Sequence, residues 1–291
     1  MRGTRLNIWT LFFCLLTVGL GTSVYAQRPG QPDTDRFLPN LDEAAAREAL
    51  EEFRQQRLSG DFSFRFQLEH RPRRGDAQSF RGRMWGTWKV FDPLIRVHIE
   101  EGVSAGAPNR FLLQSGEQAS FWVTRDADEP EALSGERMHT PLLPGITFTP
   151  FDLAMPFSHW KEATYIGRDR IANRPAYVFY LRPGAEQLDT RPAGVDGVRL
   201  SLFADHNVLL RAETVDANGV AIKSFKVRSF QEVNGQYIVR KIDLLDEQSR
   251  EKTRFEVDAA AVGILLPDTV FEPAALSQPL SVPSTDLFER L

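Results

Sequence analysis

Alternation of apolar and polar residues along most of the chain constrains its fold more than any other feature. Phe62, Phe64, Phe66 and Leu68 alternate with polar residues, and a period of two is typical of a half-buried strand. The same pattern predicts further strands near residues 78–90, 94–101, 109–115, 118–125, 164–171, 175–182, 196–204, 208–216, 219–231, 236–247 and 250–260. No helical crossover joins neighbouring strands, so we expect an antiparallel meander. About 11–12 strands are too many for one flat sheet, and we expect a mainly β fold that curls into a barrel or half-barrel.

Two longer segments depart from the strand pattern. Residues 41–58 are rich in Ala, Glu, Leu and Arg, which predicts a helix with Asn40 as its N-cap and Ser59-Gly60 as its end. Its apolar stripe comprises Leu41, Ala45, Ala49, Leu50 and Phe53. Residues 126–162 carry five prolines among apolar residues without a strand period. We interpret this second segment as an excursion with short helices, near residues 150–156, that lies over the sheet.

Three short sequences between the strands predict tight hairpins. Ser115-Gly116-Glu117 separates two of the strands. Asn218-Gly219 and Asn234-Gly235 each supply the positive φ angles that a tight hairpin needs. These turns support the meander topology.

The first 26 residues have the pattern of a secretory signal peptide. Arg2 and Arg5 precede an apolar run over residues 8–20, and Ala26 ends a sequence that suits signal peptidase. Cys14 lies within the apolar run and not at a lipoprotein cleavage junction, so we expect no lipid anchor. The alternative is an uncleaved membrane anchor, although the apolar run is shorter than the ~20 residues that span a bilayer. We therefore expect cleavage after Ala26, export and no stable transmembrane insertion.

The remainder divides into a flexible lead-in at 27–40, one domain at 41–276 and a C-terminal tail at 277–291. The whole chain has 35 basic and 39 acidic residues, and removal of two arginines with residues 1–26 leaves a net charge of −6. This charge argues against a nucleic-acid partner. Loss of Cys14 would also leave no cysteine, which excludes disulfides, thiolate metal sites and a cysteine nucleophile.

Residues capable of catalysis or metal binding are scattered. The five histidines are His70, His98, His139, His159 and His206. None is paired at i+3 or i+4, and the chain has neither a Gly-x-Ser-x-Gly motif nor a phosphate-binding glycine loop. We therefore predict no catalytic site, no metal and no cofactor.

Large apolar side chains on one face of the sheet are the distinctive feature. The candidates to face inward are Phe62, Phe64, Phe66, Leu68, Met84, Trp88, Ile95, Val97, Ile99, Phe121, Val123, Leu200 and Leu202. A small closed barrel would fill its interior with such side chains, whereas a wider one leaves room for an apolar ligand. The pattern alone leaves both interpretations open.

Several local sequences, taken in order, resemble a known family. They are Phe62-Ser63-Phe64-Arg65-Phe66, Gly86-Thr87-Trp88-Lys89 leading to Pro93, residues 111–117 followed by Phe121-Trp122-Val123, Tyr165-Ile166-Gly167, residues 174–181 and residues 267–276. Over residues 41–276 the chain resembles the outer-membrane lipoprotein-sorting proteins, the LolA/LolB-like family. The resemblance implies a half-open antiparallel barrel with an N-terminal helix and with short helices over its concave face.

The resemblance also implies a ligand and a lid. The concave face would take acyl chains of lipoproteins or other lipids, and an inner-membrane transporter and an outer-membrane acceptor are the partners it suggests. The lid residues would be Leu142, Leu143, Phe148, Phe151, Leu153 and Met155. In the periplasmic carrier of this family an Arg before the strand-ending Pro holds the lid, but Asp92 precedes Pro93 here. Arg96 is the candidate for a related role.

The resemblance therefore implies a periplasmic carrier or binding protein for lipoproteins or other acyl lipids, moving them towards the outer membrane. One alternative is an envelope sensor or scaffold that uses the same fold to bind a protein partner. Another is a secreted hydrolase whose site has no recognisable motif, which a screen of ester and glycoside substrates would reveal.

Overall fold

The computed structural model describes residues 38–88, 93–104, 106–116, 119–126, 128–143, 145–280 and 283–291. The predicted signal peptide, its cleavage after Ala26 and most of the lead-in lie outside these residues, as do Lys89, Asp92 and Glu117. No helix within the described ranges is both long and apolar enough to cross a membrane.

One antiparallel sheet makes up most of the described chain. The strands are β1 (Asp61–Arg71), β2 (Gln78–Thr87), β3 (Leu94–Glu101), β4 (Arg110–Gln114), β5 (Ser120–Thr124), β6 (Glu131–Leu133), β7 (Glu162–Ile171), β8 (Arg174–Arg182), β9 (Gly197–Phe203), β10 (Leu209–Val215), β11 (Ala221–Val233), β12 (Gln236–Asp246), β13 (Lys252–Ile264) and β14 (Glu289–Arg290). The helices are α1 (Glu43–Gln55) and α2 (Pro150–Ala154), and the longer 3₁₀ turns are Gly135–His139, Pro156–His159 and Ala185–Thr190. Each strand predicted from the period of two is confirmed, whereas β6 and β14 are too short to give a periodic signal.

The strand order is β6-β5-β4-β3-β2-β1-β13-β12-β11-β10-β9-β8-β7, with β14 added beside β13. The sheet therefore consists of two meanders, β1–β6 and β7–β13. They are joined by the antiparallel pairing of β1 with β13, in which Phe64 lies opposite Ala260. The outermost strands, β6 and β7, do not pair with each other. The sheet stays open, which confirms the predicted half-open antiparallel barrel.

Helix α1 begins two residues later than predicted. Asp42, and not Asn40, is the N-cap, because its carboxylate accepts a hydrogen bond from the Ala45 N–H at 2.8 Å. The buried stripe runs through Ala46, Ala49 and Leu50, so Ala46 takes the place predicted for Ala45. The rest of the stripe lies as predicted, and only this position differs, because the sequence pattern does not distinguish between adjacent alanines.

The two Asn-Gly turns differ. Asn234 and Gly235 have φ of 48° and 73°, the pair of positive angles that a two-residue hairpin requires. At the other turn Gly219 has a φ of 76°, but the φ of Asn218 is not positive. The Asp216 carboxylate instead accepts the N–H groups of Asn218 and Val220, at 2.9 and 2.8 Å. The prediction of paired positive angles is therefore wrong at this longer turn.

The chain after β13 packs on the convex face of the sheet. Leu266, Val270, Phe271 and Leu276 form a buried cluster there with Trp85 and Leu112. Arg96 points to this face, where its guanidinium donates to the carbonyls of Val270, Leu276 and Gln278 at 3.2, 3.1 and 2.5 Å. Arg96 is thus wrong as a candidate to hold a lid on the concave face, because its position in β3 directs its side chain to the opposite face.

Candidate functional site

The concave face brings together almost all of the predicted inward-facing side chains. A cluster on β1–β5 contains Phe66, Leu68, Met84, Ile95, Val97, Ile99, Phe121 and Val123, a cluster on β8–β10 contains Leu200 and Leu202, and a third cluster contains Phe62 and Phe64. Trp88 follows the end of β2, is half-buried and is absent from these clusters as far as the described residues define them. The strand alternation therefore identified side chains that share one face of the sheet.

Residues 134–161, which we call the covering segment, connect the two free edges of the sheet. The segment leaves β6 at one edge and enters β7 at the other. Its first half places Leu143, Ile146 and Phe148 in the β1–β5 cluster. Further along the segment, Phe151, Phe157 and Trp160 lie in the β8–β10 cluster, where α1 also packs. The two clusters are therefore completed by a segment that is not part of the sheet.

The predicted lid residues all lie in this segment and all contribute to the two clusters. Leu142, Leu143, Phe148 and Leu153 pack in the β1–β5 cluster, and Phe151 and Met155 pack in the β8–β10 cluster. The space that a ligand would occupy on the concave face is thus filled by side chains of the chain itself.

Lys223 on β11 forms the main polar contact between the sheet and the covering segment. Its ammonium donates to the Asp152 carboxylate at 3.0 Å and to the Thr147 carbonyl at 3.1 Å. The Asp152 carboxylate also accepts the N–H and the hydroxyl of Thr149, at 3.0 and 2.9 Å, which begins helix α2. The ion pair is enclosed, because only 8% of the Asp152 side chain and 22% of the Lys223 side chain are exposed.

A chain of hydroxyl groups makes a second polar contact. The Thr147 and Thr253 hydroxyl oxygens lie 3.3 Å apart, and Thr253 is also 3.0 Å from His70 Nδ1. Burial lowers the pKa of His70, and the nearby Glu251 carboxylate opposes this effect. Burial thus favours the neutral form of His70, which contacts Thr253 beneath the covering segment.

The second half of the covering segment is attached differently. Arg54 of α1 donates to the carbonyls of Ser158 and Trp160 at 2.7 and 3.1 Å. Met155 separates the two halves and adopts a left-handed conformation, with φ 46° and ψ 48°, immediately before Pro156. A non-glycine residue in this region stores about 1 kcal/mol or more of strain. Met155 thus marks the junction between helix α2 and the following 3₁₀ turn.

An open cleft of about 880 Å³ runs beside the first half of the covering segment. The segment contributes Leu142, Leu143 and Ile146 to its wall, and the β1–β2 connection contributes Arg74 and Asp76. The cleft is open to solvent, although Leu143 and Ile146 in its wall are buried.

The site includes residues that sequence reasoning missed. Apolar members are Phe80, Phe111, Leu113, Tyr177, Phe179, Leu181, Val198 and Leu244. Alternation could have identified Phe111, Leu113, Phe179 and Leu181, which occupy alternate positions on predicted strands. Lys223 and Asp152 gave no signal, because they lie 71 residues apart in sequence.

Solved structures show which class of protein has this architecture. A putative outer membrane lipoprotein-sorting protein domain from Vibrio parahaemolyticus superposes with a TM-score of 0.66, covering 81% of this chain and 97% of that one at 13% identity. A LolA superfamily protein from Nitrosomonas europaea gives a TM-score of 0.57, covering 78% and 97% at 18% identity. A DUF1329 family protein from Desulfovibrio piger gives 0.68, covering 80% and 98% at 13% identity. The fold is that of the LolA-like lipoprotein-sorting proteins, which confirms the resemblance at the level of the fold.

Sequence comparison adds a family assignment. No curated protein matches the sequence. A family model described as uncharacterized protein-like matches residues 109–278. The match covers more than half of the chain, and the chain belongs to this family.

Proposed function

We propose that the protein is an exported, periplasmic carrier or binding protein for acyl lipids or lipoproteins. Acyl chains would occupy the concave face in place of the covering segment. The observation that carries this proposal is that apolar side chains of the covering segment, such as Phe148 and Phe151, complete both clusters without belonging to the sheet. Side chains held in this way can be exchanged for a ligand without loss of strand pairing.

The energetics suit reversible binding. Sheltering an acyl chain from water is worth about 0.8 kcal/mol per CH₂, so an empty apolar cavity would bind a lipid almost irreversibly. A covering segment that must be displaced lowers this affinity, because its own apolar side chains return to water. The 880 Å³ cleft beside Leu142 and Leu143 is the expected route of access. An inner-membrane transporter and an outer-membrane acceptor are the partners that would load and unload such a carrier.

A disulfide across the covering segment tests the proposal. The hydroxyl oxygens of Thr147 and Thr253 lie 3.3 Å apart, so the thiols of a Thr147→Cys, Thr253→Cys variant lie close to bonding distance. The full chain is produced by export and purified from the periplasm without detergent. With the disulfide formed, uptake of a fluorescent fatty acyl probe is expected to weaken by at least about tenfold, because the open state is no longer available. Reduction by dithiothreitol is expected to restore uptake.

The two single-cysteine variants serve as matched controls and are expected to take up the probe under oxidising conditions. Equal uptake by the oxidised and reduced double variant, with the disulfide verified by mass, would contradict displacement of the covering segment. A native mass measured before and after organic extraction identifies any lipid that the wild type carries. A bare native mass together with no probe uptake by the wild type would overturn lipid binding and favour the protein-binding scaffold.

A further inference from the structure

Lys223 is a cation on an otherwise apolar part of the concave face. Its ammonium borders a cavity of about 20 Å³, the space of roughly one water molecule. The other lining residues are Phe157, Val198, Ala212, Thr214, Phe225, Leu244 and Asp152. The negative charge in this cavity is that of Asp152, which belongs to the covering segment. Apart from Lys223, the sheet contributes only apolar side chains and Thr214.

Other charged groups near Lys223 have different partners. Asp246 lies opposite Lys223 on β12, but its carboxylate accepts the N–H groups of Gln248 and Ser249 at 3.0 and 2.8 Å. The His139 ring contacts the edge of Phe151 within the covering segment, and burial lowers the pKa of His139. Displacement of the covering segment therefore removes the principal acceptors of Lys223.

Both hydrogen bonds that Lys223 makes to the covering segment are lost together when the segment moves. Asp152 would move to water with the segment, where its carboxylate is solvated, but Lys223 would remain on β11 among apolar side chains. An ammonium group without a counter-charge is strongly disfavoured once an acyl chain encloses it among apolar side chains. A ligand that brings an oxyanion to Lys223 avoids this cost, whereas a neutral lipid does not.

We propose that the ligand is an anionic amphiphile whose oxyanion replaces the Asp152 carboxylate at Lys223 while its acyl chain occupies the apolar clusters. This inference rests on the proposed function and adds the class of ligand. The shared chemistry is one oxyanion attached to an acyl chain. The oxyanion is either the carboxylate of a fatty acid or the phosphate of a phospholipid, and the geometry of Lys223 accepts both.

Matched pairs of lipids test the inference. Oleate is compared with methyl oleate, and 1-oleoyl lysophosphatidate with 1-oleoylglycerol, each at a concentration at which it remains monomeric. Within a pair the acyl chain is the same and the anionic charge differs. We expect the wild-type protein to prefer the charged member of at least one pair by about tenfold or more. The pair that shows the preference identifies carboxylate or phosphate as the source.

Three variants separate a role in ligand binding from a role in holding the covering segment. Lys223→Met is expected to lose the preference while still binding the neutral member. Asp152→Asn weakens the hold on the covering segment but leaves the ammonium in place, so it is expected to bind both members more tightly and keep the preference. Lys226→Met is the matched control, since Lys226 lies on the same strand opposite Asp243, whose carboxylate is bound by Arg254 and Lys252 away from the concave face.

The outcomes distinguish the inference from the proposed function. Binding of the neutral and charged members with equal affinity by the wild type would overturn the inference and leave the proposed function intact. If Lys223→Met and Asp152→Asn change the affinities for the charged and the neutral lipid in the same way, Lys223 serves only to attach the covering segment. That result would also overturn the inference. Absence of binding by all four lipids would contradict the proposed function itself. Lys223→Arg keeps the charge and is expected to retain the preference, which tests the site if Lys223→Met does not fold.

Discussion

Arg96 shows how much of this fold can depend on one buried side chain. Arg96 is only 2% exposed. Burial lowers the pKa of its guanidinium to about 10, and the nearby Arg110 cation lowers it further by a smaller amount. Three carbonyls of the chain after β13 accept hydrogen bonds from its guanidinium. Arg110 donates to a further carbonyl, that of Ser277. The two arginines together fix an irregular segment to the convex face of the sheet.

Removal of this guanidinium is expected to be costly. Arg96→Met leaves three carbonyls of the C-terminal segment without their donor, which predicts a loss of about 3 kcal/mol in the free energy of unfolding. Urea denaturation followed by circular dichroism measures this loss. Arg83→Met is the matched control on the neighbouring strand, because Arg83 forms a half-exposed pair with Glu100 worth at most about 1 kcal/mol. Equal losses in the two variants would contradict the assigned role of Arg96.

At the scale of elements, the hairpin between β7 and β8 carries an avoidable strain. Ala172 and Asn173 form its turn with φ of 48° and 68°, although Ala has no intrinsic preference for the left-handed region. The sequence does not predict this tight turn, because the pair Ala172-Asn173 lacks the Asn-Gly or Asp-Gly sequence that is typical of such turns. The chain reversal is imposed here by the pairing of β7 with β8 and not by the turn residues.

Asparagine at the first turn position should relieve this strain. Ala172→Asn is expected to raise the free energy of unfolding by about 0.5 kcal/mol, because Asn tolerates a positive φ better than Ala. Thermal and urea denaturation both measure the gain. Ala163→Asn is the control on the preceding strand, β7, where residue 163 is also exposed but lies in extended backbone, and it is expected to give no gain. A gain at residue 163 equal to that at residue 172 would show that the left-handed angle is not the cause.

At the scale of the whole molecule, two irregular segments cover opposite faces of the same sheet. The covering segment fills the concave face and is held mainly by Lys223 and the Thr147 hydroxyl in its first half. The C-terminal segment, residues 266–278, packs on the convex face and is held by Arg96 and Arg110. The difference in attachment predicts different stabilities for the two segments.

Hydrogen exchange measured by mass spectrometry should detect this difference. Peptides from residues 145–154 are expected to exchange faster than peptides from residues 266–278, because the covering segment opens locally without unfolding of the sheet. The central strands β1 and β13 serve as an internal reference for global unfolding. Equal protection of the covering segment and of β1 would mean that the segment opens only with the whole domain, and would argue against its displacement by a ligand.

The sequence determined which parts of this protein become strands and which face of the sheet is apolar. Both properties follow from alternation over a few neighbouring residues, because side chains on a strand point to opposite faces in turn. Phe62, Phe64 and Phe66 are buried for this reason, as predicted. The number of strands and the proline-rich, non-periodic segment 126–162 also predicted a half-barrel with a covering excursion, and the family resemblance added a ligand and a lid role for that excursion.

Only the tertiary structure decided which distant residues meet. The pairing of Lys223 with Asp152, the hydrogen bonds of Arg96 to the C-terminal segment and the filling of both apolar clusters by the covering segment depend on strand register and on the path of the chain. These contacts join residues tens of positions apart, and a local periodicity contains no information on such distances. Composition and periodicity thus specified the apolar face, whereas the polar contacts that hold its cover in place arise from the way the two meanders are joined.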